Sequence, residues 1–166
     1  MTDAFQQPLF GSYFVALLLL PLASSCESTK PMASVTADYI NIVYPFLQNI
    51  EKNITALLGN ASCQEKNHTC EENKEIISIH KLACSIPFNK PKRGGISKIK
   101  CELKELTGNI EASLGCDCPK NQDHNGSQLN CTHAQHRTLT RKRLCIMHSI
   151  VSDLRSCYGR LTEKYS

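Results

Sequence analysis

Ten cysteines and six histidines carry most of the latent chemistry of this 166-residue chain. Thiols can ligate soft metals, act as nucleophiles or form disulfides. Cys116-Asp117-Cys118, Cys131-Thr132-His133 and Cys145 with His148 could be assembled into a zinc site. None has the paired C-x2-C spacing of such sites, and thiolate ligands compete with oxidation during export. Catalytic signatures are equally thin. The sequence contains no G-x-S-x-G, no H-E-x-x-H and no Gly-rich phosphate loop. His68, His80, His124, His133, His136 and His148 are scattered. A secreted nuclease would need a histidine pair with a lysine, and spacing cannot show that such groups converge. His80 falls on an apolar stripe, where a structural histidine is the plainer reading. The expected chemistry is cross-linking, with about five bridges from an even cysteine count. The protein is expected to be no enzyme and to hold neither metal nor cofactor.

Cysteine usage also points to a compartment. A chain of this length can bury an adequate core unaided, so bridges are not a necessity of size. The cytosol keeps thiols reduced, so ten cysteines imply an oxidising environment. Tyr13 to Leu22 is a nearly unbroken apolar run. It is too short to cross a ~30 Å hydrocarbon core as a helix, but suits the h-region of a signal peptide. Ala23 and Ser25 supply the small residues before cleavage. Residues 1–25 are therefore read as a signal peptide and 26–166 as one secreted domain, although a positive n-region is missing. A lipoprotein lipidated at Cys26 is the rival reading, and it lacks leucine three residues before the cysteine. Sequons at Asn53, Asn60, Asn67, Asn125 and Asn130 point to a secretory glycoprotein. At Asn130 the neighbouring Cys131 competes by bridging. The net charge of +4 is mild and does not suggest a dedicated nucleic-acid binder. No later run is apolar and long enough to span a membrane.

Four segments have the periodicity needed to position these residues on helices. The first covers Val35 to Leu58, with Tyr39, Ile42, Val43, Phe46, Leu47, Ile50, Ile54, Leu57 and Leu58 on its stripe. Pro45 requires either a kink or a later start. The second covers Glu71 to Ile86 and is ended by Pro87, with a Pro/Gly/Lys linker to Gly95. The third covers Ser97 to Leu114, with Ile99, Leu103, Leu106, Ile110 and Leu114 in line. A polar stretch from Gly115 to His136 reads as an exposed loop. The fourth covers Thr138 to Lys164, with Leu144, Met147, Ile150, Val151, Leu154, Tyr158 and Leu161 on its apolar face. Four such stripes must be buried against one another, which makes the chain an all-α four-helix bundle. Two of the connections are long enough to permit up-up-down-down winding. Arg137, Arg141, Lys142 and Arg143 open the last helix, at its positive end. They read either as a solvated face or as a site for sulfated glycosaminoglycan such as heparan sulfate.

His68-Thr69-Cys70-Glu71-Glu72-Asn73-Lys74-Glu75, Leu103-Lys104-Glu105-Leu106-Thr107-Gly108 with Cys116, and Leu144-Cys145-Ile146 through Ser156-Cys157-Tyr158 occur in that order. Together with Ser24-Ser25-Cys26 they resemble the interleukin-7 branch of the interleukin-7/interleukin-9 family of short-chain four-helix cytokines, over nearly the whole of 26–166. The cysteine spacing is the specific part. The resemblance implies the pairs Cys26–Cys157, Cys63–Cys145 and Cys70–Cys116. Asn130-Cys131-Thr132 also resembles the family's Asn-Cys-Thr after the third helix, which leaves Cys131 as an alternative to Cys116. Cys84, Cys101, Cys118 and Cys131 exceed the pattern. For them Cys84–Cys101 and Cys118–Cys131 are the working hypotheses.

What the resemblance implies is signalling by binding: the cytokine bridges an interleukin-7 receptor alpha chain and the common gamma chain, and so drives lymphoid survival and growth. The alpha contacts carried over by position are Asn41, Ile42 and Phe46 on the first helix, and Leu103, Lys104 and Thr107 on the third. Ile42, Phe46 and Leu103 read equally as core, and Lys104 is the polar one beside an apolar stripe. The gamma chain contacts the first and last helices, and Tyr158 stands where the family has tryptophan. Two alternatives stay open: an interleukin-9-like cytokine, and a secreted disulfide-rich inhibitor or carrier.

Overall fold

A computed structural model describes residues 26–63, 70–87, 97–119, 131 and 139–165. The leader 1–25, the sequons at Asn67, Asn125 and Asn130, and Arg137 lie outside the described residues. All elements among the described residues are helical. The first unit is helix α1, Met32–Asp38, a π-helical turn, Tyr39–Val43, and helix α2, Tyr44–Leu58. It starts slightly earlier than its periodicity suggests and passes Pro45 without a break. In a regular helix the Pro45 ring would clash with the carbonyl four residues back, that of Asn41. The wider i→i+5 turn directly before α2 relieves that crowding.

Helix α3, Glu75–Cys84, begins four residues later than expected. Asn73 turns into the left-handed region at φ 61°, which asparagine tolerates, and its amide donates to Glu75 Oε1 at 3.2 Å. Helix α4, Lys98–Leu114, stops at Gly115, whose φ of 69° makes the left-handed cap. A Cβ there would lie 3.0 Å from Thr29 Oγ1, so glycine is required twice over, by conformation and by close approach. Helix α5 is Arg141–Tyr165.

The stripes of α3, α4 and α5 fall where periodicity places them. Ile79 and Ala83, Leu103, Leu106, Ile110 and Leu114, and Val151, Leu154 and Tyr158 join one core with Val43, Leu47, Ile50 and Ile54. The first unit departs from its expected stripe. Ile42 is 45% exposed and Leu57 52% exposed, while Tyr39 and Val43 are buried. The π turn adds a residue per turn, so Tyr39 and Val43 share the inner face and Ile42 is carried outward.

Side-chain contacts set the helix directions. Glu51 meets Arg155 at 2.9 Å and Tyr39 stacks on Tyr158 with centroids 4.4 Å apart, so α2 and α5 run antiparallel. Asn53 donates to the Glu102 carboxylate at 3.1 Å, and Thr29 lies against Gly115, so the first unit and α4 also run antiparallel. The start of α3 sits at the C-terminal end of α5. There Arg160 donates to the Cys70 carbonyl at 3.0 Å and Lys164 to Asn73 Oδ1 at 2.9 Å.

All ten cysteines are paired, which is the state an oxidising compartment produces. Cys63–Cys145 is as the resemblance implies, and it joins the end of the first unit to the start of α5. The other four pairs differ from expectation. Cys26 bonds Cys116 and Cys70 bonds Cys157. Cys26 enters beside the Thr29–Gly115 contact, which delivers it to Cys116, whereas Arg160 draws Cys70 onto α5 next to Cys157. Cys84 bonds Cys118 and Cys101 bonds Cys131. After α4 the chain folds back, the Cys118 amide donating to Glu111 Oε1, and so meets the end of α3. Cys101 lies in the first turn of α4, roughly 20 Å along the helix axis from its last residue, so Cys84 cannot reach both.

Candidate interaction surface

Two surfaces carry unusual side chains. The first is the outer arc of the π turn, Ile40-Asn41-Ile42, where Ile40 is 58% exposed. The Asn41 amide donates to the Ala37 carbonyl at 2.9 Å, which fixes its side chain on the helix wall between the two isoleucines. Turns of this type are frequent at functional positions in helices. Exposed aliphatic side chains are ordinary singly, but two flanking one polar residue on an irregular turn form a small docking arc.

The second is a shallow polar groove between α2 and α5, lined by Glu51, Ser152, Arg155, Ser156, Gly159, Arg160 and Glu163. Arg155 dominates it. Glu51 holds its guanidinium even more firmly protonated than usual, and the group also lies 5.7 Å from the Tyr44 ring centroid. Gln48 in turn donates to the Tyr44 hydroxyl at 2.8 Å. This chain of contacts orients a cation on a face made by the first and last helices.

The residues named from sequence divide sharply. Asn41, Ile42 and Lys104 are exposed and Phe46 is half-buried. Leu103 and Thr107 are buried, with the Thr107 hydroxyl donating to the Leu103 carbonyl at 3.0 Å, so both belong to the core and not to a surface. Asn53 faces Glu102, and Lys104 lies two residues further along α4. The two elements run antiparallel, so Lys104 is level with the residue two before Asn53, and Asn41 lies roughly 15 Å from it along the helix pair. Tyr158 is fully buried. It stacks on Tyr39 at an interplanar angle of 5°. Burial pushes its hydroxyl pKa far up, and the neighbouring Ser113 hydroxyl opposes this, although the two hydroxyls stand short of hydrogen-bond geometry. Tyr158 is therefore a core aromatic and not an exposed anchor.

Arg141, Lys142 and Arg143 are exposed at the start of α5. One of them has a structural task, since the Arg141 guanidinium donates to the Ser62 carbonyl at 2.8 Å beside the Cys63–Cys145 bridge. Asn60 is exposed in the turn after α2. Asn53 is half-buried, and its amide nitrogen donates to both Glu102 oxygens, 3.2 and 3.1 Å away. His80 sits in the core as its stripe position implies, with Nε2 3.1 Å from the Asp117 carbonyl.

Sequence reasoning missed Ile40 and the Arg155 groove. Ile40 was legible as an aliphatic residue off the stripe. Arg155 was not, because its partners Glu51 and Tyr44 are distant in sequence. Fold and surface together define an all-helical protein stapled by five disulfides. No protein-family model, no curated protein and no solved structure matches the chain.

Proposed function

We propose that this is a secreted interleukin-7-like cytokine, wound up-up-down-down after removal of its leader, which bridges an interleukin-7 receptor alpha-type chain and the common gamma chain. The winding is supported by helix directions. Both α4 and α5 oppose the first unit, as the two downward helices of such a winding would. The start of α3 lies beside the end of α5, as the second upward helix of such a winding would. The observation that carries the receptor reading is the outward arc Ile40-Asn41-Ile42 on a π turn of the first helix. The outer face of a surface helix is mostly polar, and here two exposed isoleucines flank one asparagine. With Lys104 of α4 and the edge of Phe46, the arc forms the alpha-receptor face. The span of roughly 15 Å between its ends fits within the ~800 Å² that a standard interface buries on each partner. The gamma chain takes the α2–α5 groove through Arg155 and its neighbours, with Tyr158 supporting that face from beneath. The test is binding of the oxidised protein to immobilised receptor ectodomains, singly and in pairs.

The exposed cations Arg141, Lys142 and Arg143 favour a second, compatible contact with heparan sulfate, to which Arg137, close by in sequence, would add. Changing Arg141, Lys142 and Arg143 to serine should lower the salt concentration that elutes the protein from heparin. An unchanged elution point would remove this contact.

A further inference from the structure

We infer that Cys84–Cys118 is a thiol-exchange site, opened by small uncharged or cationic thiols with the aid of His80. This reading is independent of receptor binding. His80 stands one turn before Cys84 on α3, buried, with Nε2 3.5 Å from Cys84 Sγ and 3.1 Å from the Asp117 carbonyl. A carbonyl only accepts, so Nε2 bears the hydrogen. That hydrogen goes to the carbonyl, and Cys84 Sγ stands 3.5 Å from the same nitrogen. Among the described residues this is the one disulfide with a ring nitrogen recorded against a sulfur.

The two sulfurs are not equivalent. Cys84 leaves the helix wall beside His80, whereas Cys118 lies on the returning strand of chain, between exposed Asp117 and Pro119. A thiolate leaving group departs faster when its charge is stabilised, and Cys84 Sγ is the sulfur 3.5 Å from Nε2, whose hydrogen can turn from the Asp117 carbonyl to the departing thiolate. The attacking thiolate therefore bonds to Cys118 Sγ. The Cys84–Cys118 bond breaks and its electron pair goes to Cys84 Sγ. The attacker's sulfur is oxidised into the mixed disulfide, the Cys84 sulfur is reduced, and Cys84 takes up the proton the attacker had lost. Glu111, whose carboxylate accepts from the Cys118 amide, and Asp117 flank the point of attack. They disfavour anionic thiols, which sets the chemical class.

Exposure alone gives a different order. Cys131 is exposed, whereas Cys84 and Cys118 are half-buried. Cys26, Cys70 and Cys157 are buried and shield their bridges. An exposure-controlled protein would open Cys101–Cys131 first. Opening Cys84–Cys118 instead detaches the end of α3 from the segment after α4, while Cys116 and Cys131 stay anchored by their own bonds.

The test treats the native oxidised protein with limiting 2-mercaptoethanol, blocks free thiols with iodoacetamide and maps peptides without reduction. The expected first product carries the mercaptoethanol adduct on Cys118 and the alkyl group on Cys84. It should form about threefold or more faster than any product at Cys101–Cys131, because a stabilised leaving thiolate departs faster. The variant His80→Phe should lose that advantage. First reaction at another pair, an adduct on Cys84 with Cys118 alkylated, or an unchanged rate in His80→Phe would overturn the inference. If that variant does not fold, the order and regiochemistry in the native protein decide alone.

Discussion

At the scale of single residues, Tyr158 is where sequence and structure part most clearly. Its place after the last cysteine of α5 suggested an aromatic contact for a receptor, but its ring is sealed under Tyr39 with an unpartnered hydroxyl. A buried hydroxyl without a partner contributes nothing to stability and carries a desolvation cost. Tyr158→Phe is expected to leave stability unchanged or raise it by up to ~1 kcal/mol in urea unfolding. Tyr158→Ala is expected to cost ~3–5 kcal/mol, as for other large aromatic truncations in cores. A large loss in Tyr158→Phe would mean that the hydroxyl has a partner. Stripe position made the burial of Tyr158 legible. The surroundings of its hydroxyl were not, because Ser113 and Tyr39 come near it only through the fold.

At the scale of elements, three of the four helical segments could be read from period alone, because their apolar residues recur with the spacing of a regular helix. The first could not be read fully, since the spacing changes within it. Tyr39 and Val43 are four apart and share the inner face of a π turn, and a 3.6-residue wheel then misplaces Ile42. Pro45 was the visible sign that something had to give, and the structure answers it with a wider turn instead of a break. The arc so produced is surface. The double variant Ile40→Ser, Ile42→Ser should therefore change stability by no more than ~0.5 kcal/mol. It should weaken alpha-receptor binding by at least tenfold. Thermal unfolding and surface plasmon resonance read the two effects separately, and a variant that unfolds early yet binds normally would reverse the assignment.

At the scale of the whole molecule, the cysteines show what spacing can and cannot decide. That they bridge follows from their number and compartment. Their partners depend on which chain ends the bundle brings together, and neighbours in sequence do not reveal that. Non-reducing peptide mapping should find Cys26–Cys116, Cys63–Cys145, Cys70–Cys157, Cys84–Cys118 and Cys101–Cys131. Recovery of Cys26–Cys157 with Cys70–Cys116 would instead restore the framework implied by the family resemblance. Bundle and bridges serve, on this account, to hold two receptor faces at fixed separation on one rigid body. That claim is tested most directly by surface plasmon resonance of the oxidised protein over immobilised interleukin-7 receptor alpha and common gamma chain ectodomains. The account predicts saturable binding to the alpha chain, and stronger binding when both chains share the surface. Absence of binding to either ectodomain, alone or together, would contradict it.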